Sequence, residues 1–199
     1  MRQFYSPVVG PRHLLVIVLV VTIGCGGAPV STAPLVAKPV LALLQQAEKA
    51  ERARDYHTAR ERYQKAIAVA PDPTSAALAN RKMASALLFW GEYEGAERRL
   101  MQSLVHDGTQ VRVWHDLAIV QVQLKKHDAA LASLVKAVEL APGEPRIRVA
   151  YAALLVKERR YRDAITQYKH LLTLSIPPTI EQATHKALRM LAAEVRDAE

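Results

Sequence analysis

The sequence predicts an all-α chain, a solenoid of stacked helical hairpins, from three observations. A phrase recurs in it: Tyr56-x-x-Ala59, Tyr93-x-x-Ala96, His127-x-x-Ala130 and Tyr161-x-x-Ala164, at intervals of 37, 34 and 34 residues. A bulky residue follows each alanine four positions on: Tyr63, Leu100, Leu134 and Tyr168. Units of this length cannot bury an apolar face alone and must stack on one another. The units close on helix-stopping residues, Pro71-Asp72-Pro73, Asp107-Gly108, Pro142-Gly143 and Pro177-Pro178. No alternating strand pattern survives between residues 40 and 178.

Residues 1–24 read as an export signal outside the fold. Arg2, Arg12 and His13 precede the apolar run Leu14–Ile23, which fits a signal core and is short for a span of about 20 residues. The run ends at Gly24-Cys25, and this ending resembles a bacterial lipobox, although Thr22 stands where Leu is usual. The resemblance implies lipidation at Cys25 and a membrane anchor through that lipid. A plain cleaved secretion signal and a short uncleaved anchor use the same run. Cys25 is the one cysteine of the chain, so no intramolecular disulfide can form. Gly26 follows it in place of Asp, which by the same resemblance implies the outer membrane of the envelope, on its periplasmic face. Residues 25–39 form a tether in which Pro29, Pro34 and Pro39 oppose helix; at about 3.1 Å per residue it spans roughly 40 Å.

The domain proper, residues 40–198, divides into units at about 40–73, 77–110, 111–144 and 145–178. The first carries Leu43, Ala47, Tyr56, Ala59, Tyr63 and Ala66. The second carries Ala84, Gly91, Tyr93, Ala96 and Leu100, with Ser103 for a small apolar residue. The third carries Trp114, Leu117, Ala118, Ala130, Leu134 and Ala137, with Gln121 where an aromatic is expected. The fourth carries Tyr151, Ala152, Tyr161, Ala164 and Tyr168, and Leu171 replaces its last small residue. Small residues mark where two helices cross closely, as at Ala47 with Ala59 and Ala118 with Ala130. Tyr63, Trp114 and Tyr168 fill the space between one pair and the next. Asp128 and Asp163 complement the positive ends of second helices.

These motifs resemble those of tetratricopeptide repeat proteins over residues 40–178. The resemblance implies a right-handed superhelix of four repeats. Residues 179–198 add an amphipathic helix, with Ile180, Ala183, Ala187, Leu188, Leu191 and Val195 at helical spacing. Such a helix caps the open end of a solenoid, or offers an apolar face to another protein.

The formal net charge of +8 is spread in short runs, Arg98-Arg99, Lys125-Lys126 and Lys157 to Arg162 among them. Such runs are solvated faces, or a basic surface facing anionic envelope polymers. No aromatic-basic interleaving on a recognisable module points to nucleic acid. No metal-ligand spacing, nucleophile elbow or glycine-rich phosphate loop occurs, so neither a metal site, a cofactor nor an enzyme is expected. His57, His106, His115 and His127 are spread over the first three units, with no arrangement that makes a triad on one face.

In the repeat family the first helix of each unit lines a concave groove. The resemblance carries over to Leu78, Arg81, Ser85, Leu88 and Phe89 in the second unit. It carries over to Arg112, His115, Ile119, Val122 and Gln123 in the third, and to Arg146, Val149, Ala153, Val156 and Lys157 in the fourth. Arg112 and Arg146 are then rim residues, and Leu88, Phe89, Ile119, Val122 and Val156 an apolar floor, unless the floor packs against the terminal helix. Ser85, Ile119 and Ala153 stand where a carboxylate clamp needs Asn, so an extended or helical partner segment fits better. The expected function is a lipid-anchored scaffold for a protein partner in a bacterial envelope. By resemblance it serves type IV pilus or secretin assembly. The alternatives are an adaptor for peptidoglycan enzymes or for outer-membrane protein assembly, and an enzyme with an unrecognised site.

Overall fold

A computed structural model describes residues 36–197, and among these every regular element is an α-helix. The helices are α1 (Lys38–Arg52), α2 (Tyr56–Ala68), α3 (Pro73–Phe89), α4 (Tyr93–His106) and α5 (Val111–Gln123). They continue with α6 (His127–Leu140), α7 (Pro145–Lys157), α8 (Tyr161–Leu171) and α9 (Pro178–Asp197). Consecutive helices pack in order, so α1–α2, α3–α4, α5–α6 and α7–α8 are four hairpins in line and α9 covers α8. The predicted all-α solenoid is therefore the observed fold. Residues 1–24, Cys25 and the tether as far as residue 35 lie outside the described residues.

The alanine pairs account for the hairpins. Ala47 with Ala59, Ala84 with Ala96, Ala118 with Ala130 and Ala152 with Ala164 are each at most 1% exposed. A methyl group at both positions lets the two backbones approach, and anything larger would push them apart. Larger residues then close the space between hairpins. Tyr63, Leu100, Leu155 and Leu171 are almost fully buried, each contributing about 1.5–3 kcal/mol. The Tyr63 hydroxyl donates to Glu51 Oε2 at 2.6 Å; burial, reinforced by that carboxylate, pushes its pKa well above the usual phenol value. Trp114 of α5 packs against the cores on both sides, and its Nε1 donates to the Gly108 carbonyl at 2.8 Å.

Each hairpin turns the same way. Arg54, Gly91, Lys125 and Arg159 hold positive φ values of 60°, 78°, 60° and 57°. The next residue's N–H reaches the carbonyl five residues back: Asp55 to Ala50, Glu92 to Leu87, Lys126 to Gln121 and Arg160 to Leu155, at 2.8–2.9 Å. This arrangement satisfies carbonyls that the end of a helix leaves orphaned. Only the second unit supplies the glycine that such a turn favours.

Three boundaries differ from the sequence reading. Lys38 and Pro39, read as tether, are the first residues of α1, because proline is tolerated in a first turn where no N–H is needed. The extra residues in the 37-residue interval extend α3 back to Pro73. Asp72 caps that helix by accepting from Ser75 N at 2.8 Å and from Ser75 Oγ at 2.7 Å. Ser75 Oγ in turn accepts from Ala37 N at 3.0 Å, tying the start of α1 to the second hairpin. The terminal helix begins at Pro178 rather than at residue 179.

Polar substitutions inside the core are paired. Gln121, at the position expected to be aromatic, accepts from Ser133 Oγ at 2.7 Å, both residues being buried. Ser103 donates to the Ala77 carbonyl at 2.9 Å. Arg148 takes the place that Trp114 holds in the preceding repeat and is 3% exposed. Its Nη1 donates to Gln167 Oε1 and its Nη2 to the Pro142 carbonyl, both at 2.8 Å. Burial without a carboxylate pushes its pKa down.

Candidate functional site

The two first helices α5 and α7 leave a cleft between them, in two adjoining cavities that share His115. The larger, about 510 Å³, is walled by Arg112, His115 and Asp116 of α5 and by Arg146 and Ile147 of α7, with Glu144 at the α7 N-cap. The smaller, about 140 Å³, is apolar: Ile119 and Val122 face Ala150 and Leu154 over Leu134. Helical spacing produces this split. Residues 112, 115, 119 and 122 form one stripe on α5, polar in its first turn and apolar after it.

The charges of the larger cavity are nearly balanced. Arg112 Nε lies 4.0 Å from Asp116 Oδ2, and His115 Nδ1 lies 3.7 Å from Asp116 Oδ1. Glu144 accepts from Arg146 N at 3.4 Å. Arg112 is largely exposed, whereas His115 is 18% exposed and stands at the boundary between the polar and apolar parts. An ion-rimmed mouth over an apolar slot suits a peptide segment that presents a charged residue next to an aliphatic one.

Of the residues expected in a groove, Arg112, His115, Ile119, Val122 and Arg146 are brought together here. Gln123 reaches the apolar end. Val149, half-buried, and Lys157, exposed, line neither cavity. Arg81 is half-buried and Ser85 is exposed, its hydroxyl donating to the Arg81 carbonyl at 3.1 Å. Phe89 is 78% exposed and belongs elsewhere, beside Tyr56, Arg60 and Trp90. Asp116, Glu144, Ala150 and Leu154 were not singled out from the sequence. Their signal was the stripe Ala150–Leu154, one residue beyond the family's positions on α7, which only the packing angle of α5 against α7 selects.

Two further histidines each meet one carboxylate. His57 Nδ1 lies 3.8 Å from Glu61 Oε1 on the exposed surface of α2. His127 Nδ1 lies 2.5 Å from Glu158 Oε1, bracing α6 against the end of α7. Among the described residues no group of three or more metal-ligating side chains gathers, and no helix is long and apolar enough to cross a membrane.

Residues 124–176 match a family model described as YpiA-like, tetratricopeptide repeats. No curated protein matches the sequence. Among solved structures, a tetratricopeptide repeat protein from Parabacteroides merdae superposes with a TM-score of 0.70 at 13% identity, over 79% of this chain and 62% of that one. The pilF protein of Pseudomonas aeruginosa gives 0.59 at 21% identity, over 80% and 76%. The Yersinia enterocolitica type III secretion chaperone SycD, solved with a peptide of the translocator YopD, gives 0.51 at 19% identity, over 60% and 92%. Identities this low establish the fold. With its alanine pairs, repeated turns and terminal helix, the described chain has the tetratricopeptide repeat fold, an all-α solenoid of four hairpins.

Proposed function

We propose that the chain is a non-catalytic scaffold that holds a segment of a partner protein in the cleft between α5 and α7. The observation that carries this reading is the junction at His115 of an ion-lined cavity with an apolar slot. A segment laid along the cleft buries aliphatic side chains on Ile119, Val122 and Leu154 while its polar groups meet Arg112 and Arg146. The fold's occurrence in a chaperone solved with a bound peptide supports the same use. Exchanging Arg112→Glu and Arg146→Glu, with Ile119→Asp as a separate variant, tests it. Partner recovery from envelope extracts should fall while circular dichroism stays helical. Undiminished recovery by both variants removes the cleft from the function.

In this reading the scaffold is exported and anchored by a lipid on Cys25 at the periplasmic face of the outer membrane, where it assists type IV pilus or secretin assembly. The lipobox-like Gly24-Cys25 and the fold shared with pilF support it. Acyl chains contribute about 0.8 kcal/mol per buried CH₂, so loss of the anchor has a large effect. Cys25→Ser should leave the precursor unprocessed, so that the mature-size product of the detergent phase disappears. Normal processing to a soluble product eliminates lipidation. A deletion strain should lose heat-stable secretin multimers and surface pili. Intact multimers with altered cell shape would instead favour an adaptor of peptidoglycan or outer-membrane assembly.

A further inference from the structure

The first junction of the solenoid carries a second opening, on the face built by the second helices. A cavity of about 520 Å³ lies between α2 and α4 over Met83 and Leu87 of α3. Arg60 and Gln64 line one wall, and Arg98, Arg99 and Gln102 the other. The Arg60 guanidinium is neutralised by Glu92, which it grips with both Nη atoms. Arg98 and Arg99 pair with no carboxylate among the described residues. Arg99 reaches only the neutral Asn80 Oδ1 at 3.4 Å. The cavity is thus net positive, with donors unspent and a half-exposed Met101 at its edge.

Its space is kept open by Gly95. This glycine is the third residue of α4 and has no positive φ, so the backbone does not require it, and in a helix it costs up to about 1 kcal/mol relative to alanine. A Cβ added there would meet Leu87 Cδ1, part of the cavity floor, at 3.3 Å. The feature is not a property of the repeat. The positions of Gly95, Arg98 and Arg99 are filled by Ala129, Ala132 and Ser133 at the next junction and by Asp163, Thr166 and Gln167 at the last.

Beyond the Arg60–Glu92 pair the cavity continues into a shelf of aromatic rings about 240 Å³ in extent. Tyr56 and Trp90 meet there at 5.6 Å, the Arg60 guanidinium stacks 5.0 Å from the Trp90 centroid, and Phe89 stands 78% exposed. We infer that the cavity walled by Arg98 and Arg99, with the aromatic shelf beside it, is a second docking site, for an acidic peptide segment of a partner protein bearing an apolar side chain. Planar guanidinium forks match carboxylates in geometry as well as charge, and the ring faces of the shelf take the apolar side chain.

Fluorescence anisotropy of the full chain with a labelled Glu-Glu-Leu-Glu-Glu-Phe peptide tests the site. Saturable binding is expected, weakened at least about tenfold by Arg98→Glu with Arg99→Glu and also by the milder Arg98→Gln with Arg99→Gln. The same charge reversal on α9, Arg189→Glu with Arg196→Glu, should change binding by no more than about twofold. Gly95→Leu, which alters no charge, should weaken binding by filling the cavity. Equal weakening by the two charge-reversed pairs would mean that net charge alone attracts the peptide and overturns the proposal. So would absence of saturable binding, or capture of phosphatidylglycerol vesicles through Arg98 and Arg99 with no peptide binding.

Discussion

Replacing Arg54, Lys125 and Arg159 by glycine is expected to stabilise the array. Each residue holds φ near 60°, where an L side chain crowds the following carbonyl at about 1–2 kcal/mol. Two terms oppose the gain. Glycine loses more backbone freedom on folding, about 0.5–1 kcal/mol, and a basic group at a helix C-terminus contributes about 0.3 kcal/mol when exposed. No side-chain contact is sacrificed, since all three side chains are exposed and unpaired among the described residues. The net gain is about 0.5 kcal/mol per position. The positions belong to separate hairpins, so the triple variant should gain about 1.5 kcal/mol, a rise in Tm of about 3–6 °C. Gly91→Ala makes the reverse change. A Cβ there meets nothing within 4 Å, so its loss of about 1 kcal/mol is purely a backbone effect. Thermal and urea unfolding followed by circular dichroism would measure both. A triple variant that melts below the parent, together with an unaffected Gly91→Ala, would refute the account of the turns.

Ala130→Leu should destabilise by about 1–3 kcal/mol in urea, because Ala130 is fully buried where α5 and α6 cross. Arg148→Met should stay within about 1.5 kcal/mol of the parent, since it removes a desolvated charge along with two hydrogen bonds, whereas Arg148→Ala should cost about 2–3 kcal/mol by opening a void. A titration of the urea midpoint checks Asp72: donation from the Ser75 hydroxyl and N–H holds its carboxyl below the usual 3.8. A depressed folded-state value means that its stabilisation is fully present above 3.8 and disappears as pH falls through the lower folded value, so Asp72→Asn should flatten the acid limb.

Architecture was written in one dimension. The spacing of Ala59, Ala96, Ala130 and Ala164 specifies hairpins, because a close crossing needs a small residue at a defined helical phase and nothing distant has to be known. The stop residues and the amphipathic stripe of α9 are legible for the same local reason. Ends were less so: Pro39 and Pro73 read as breakers yet open α1 and α3, since proline has opposite meanings before a helix and within its first turn. The left-handed turns at Arg54, Lys125 and Arg159 left no mark, because a long basic residue tolerates that conformation at a cost the rest of the hairpin absorbs. Arg112, His115, Ile119 and Val122 could be placed on one stripe from the sequence. Their partners Ala150 and Leu154 depend on the angle at which α7 meets α5, which many buried contacts set together. The arginine cavity is also a tertiary product. Arg98 and Arg99 are an ordinary charged doublet along the chain, and only the packing of α2, α3 and α4, with Gly95 holding back from Leu87, turns them towards one another's space.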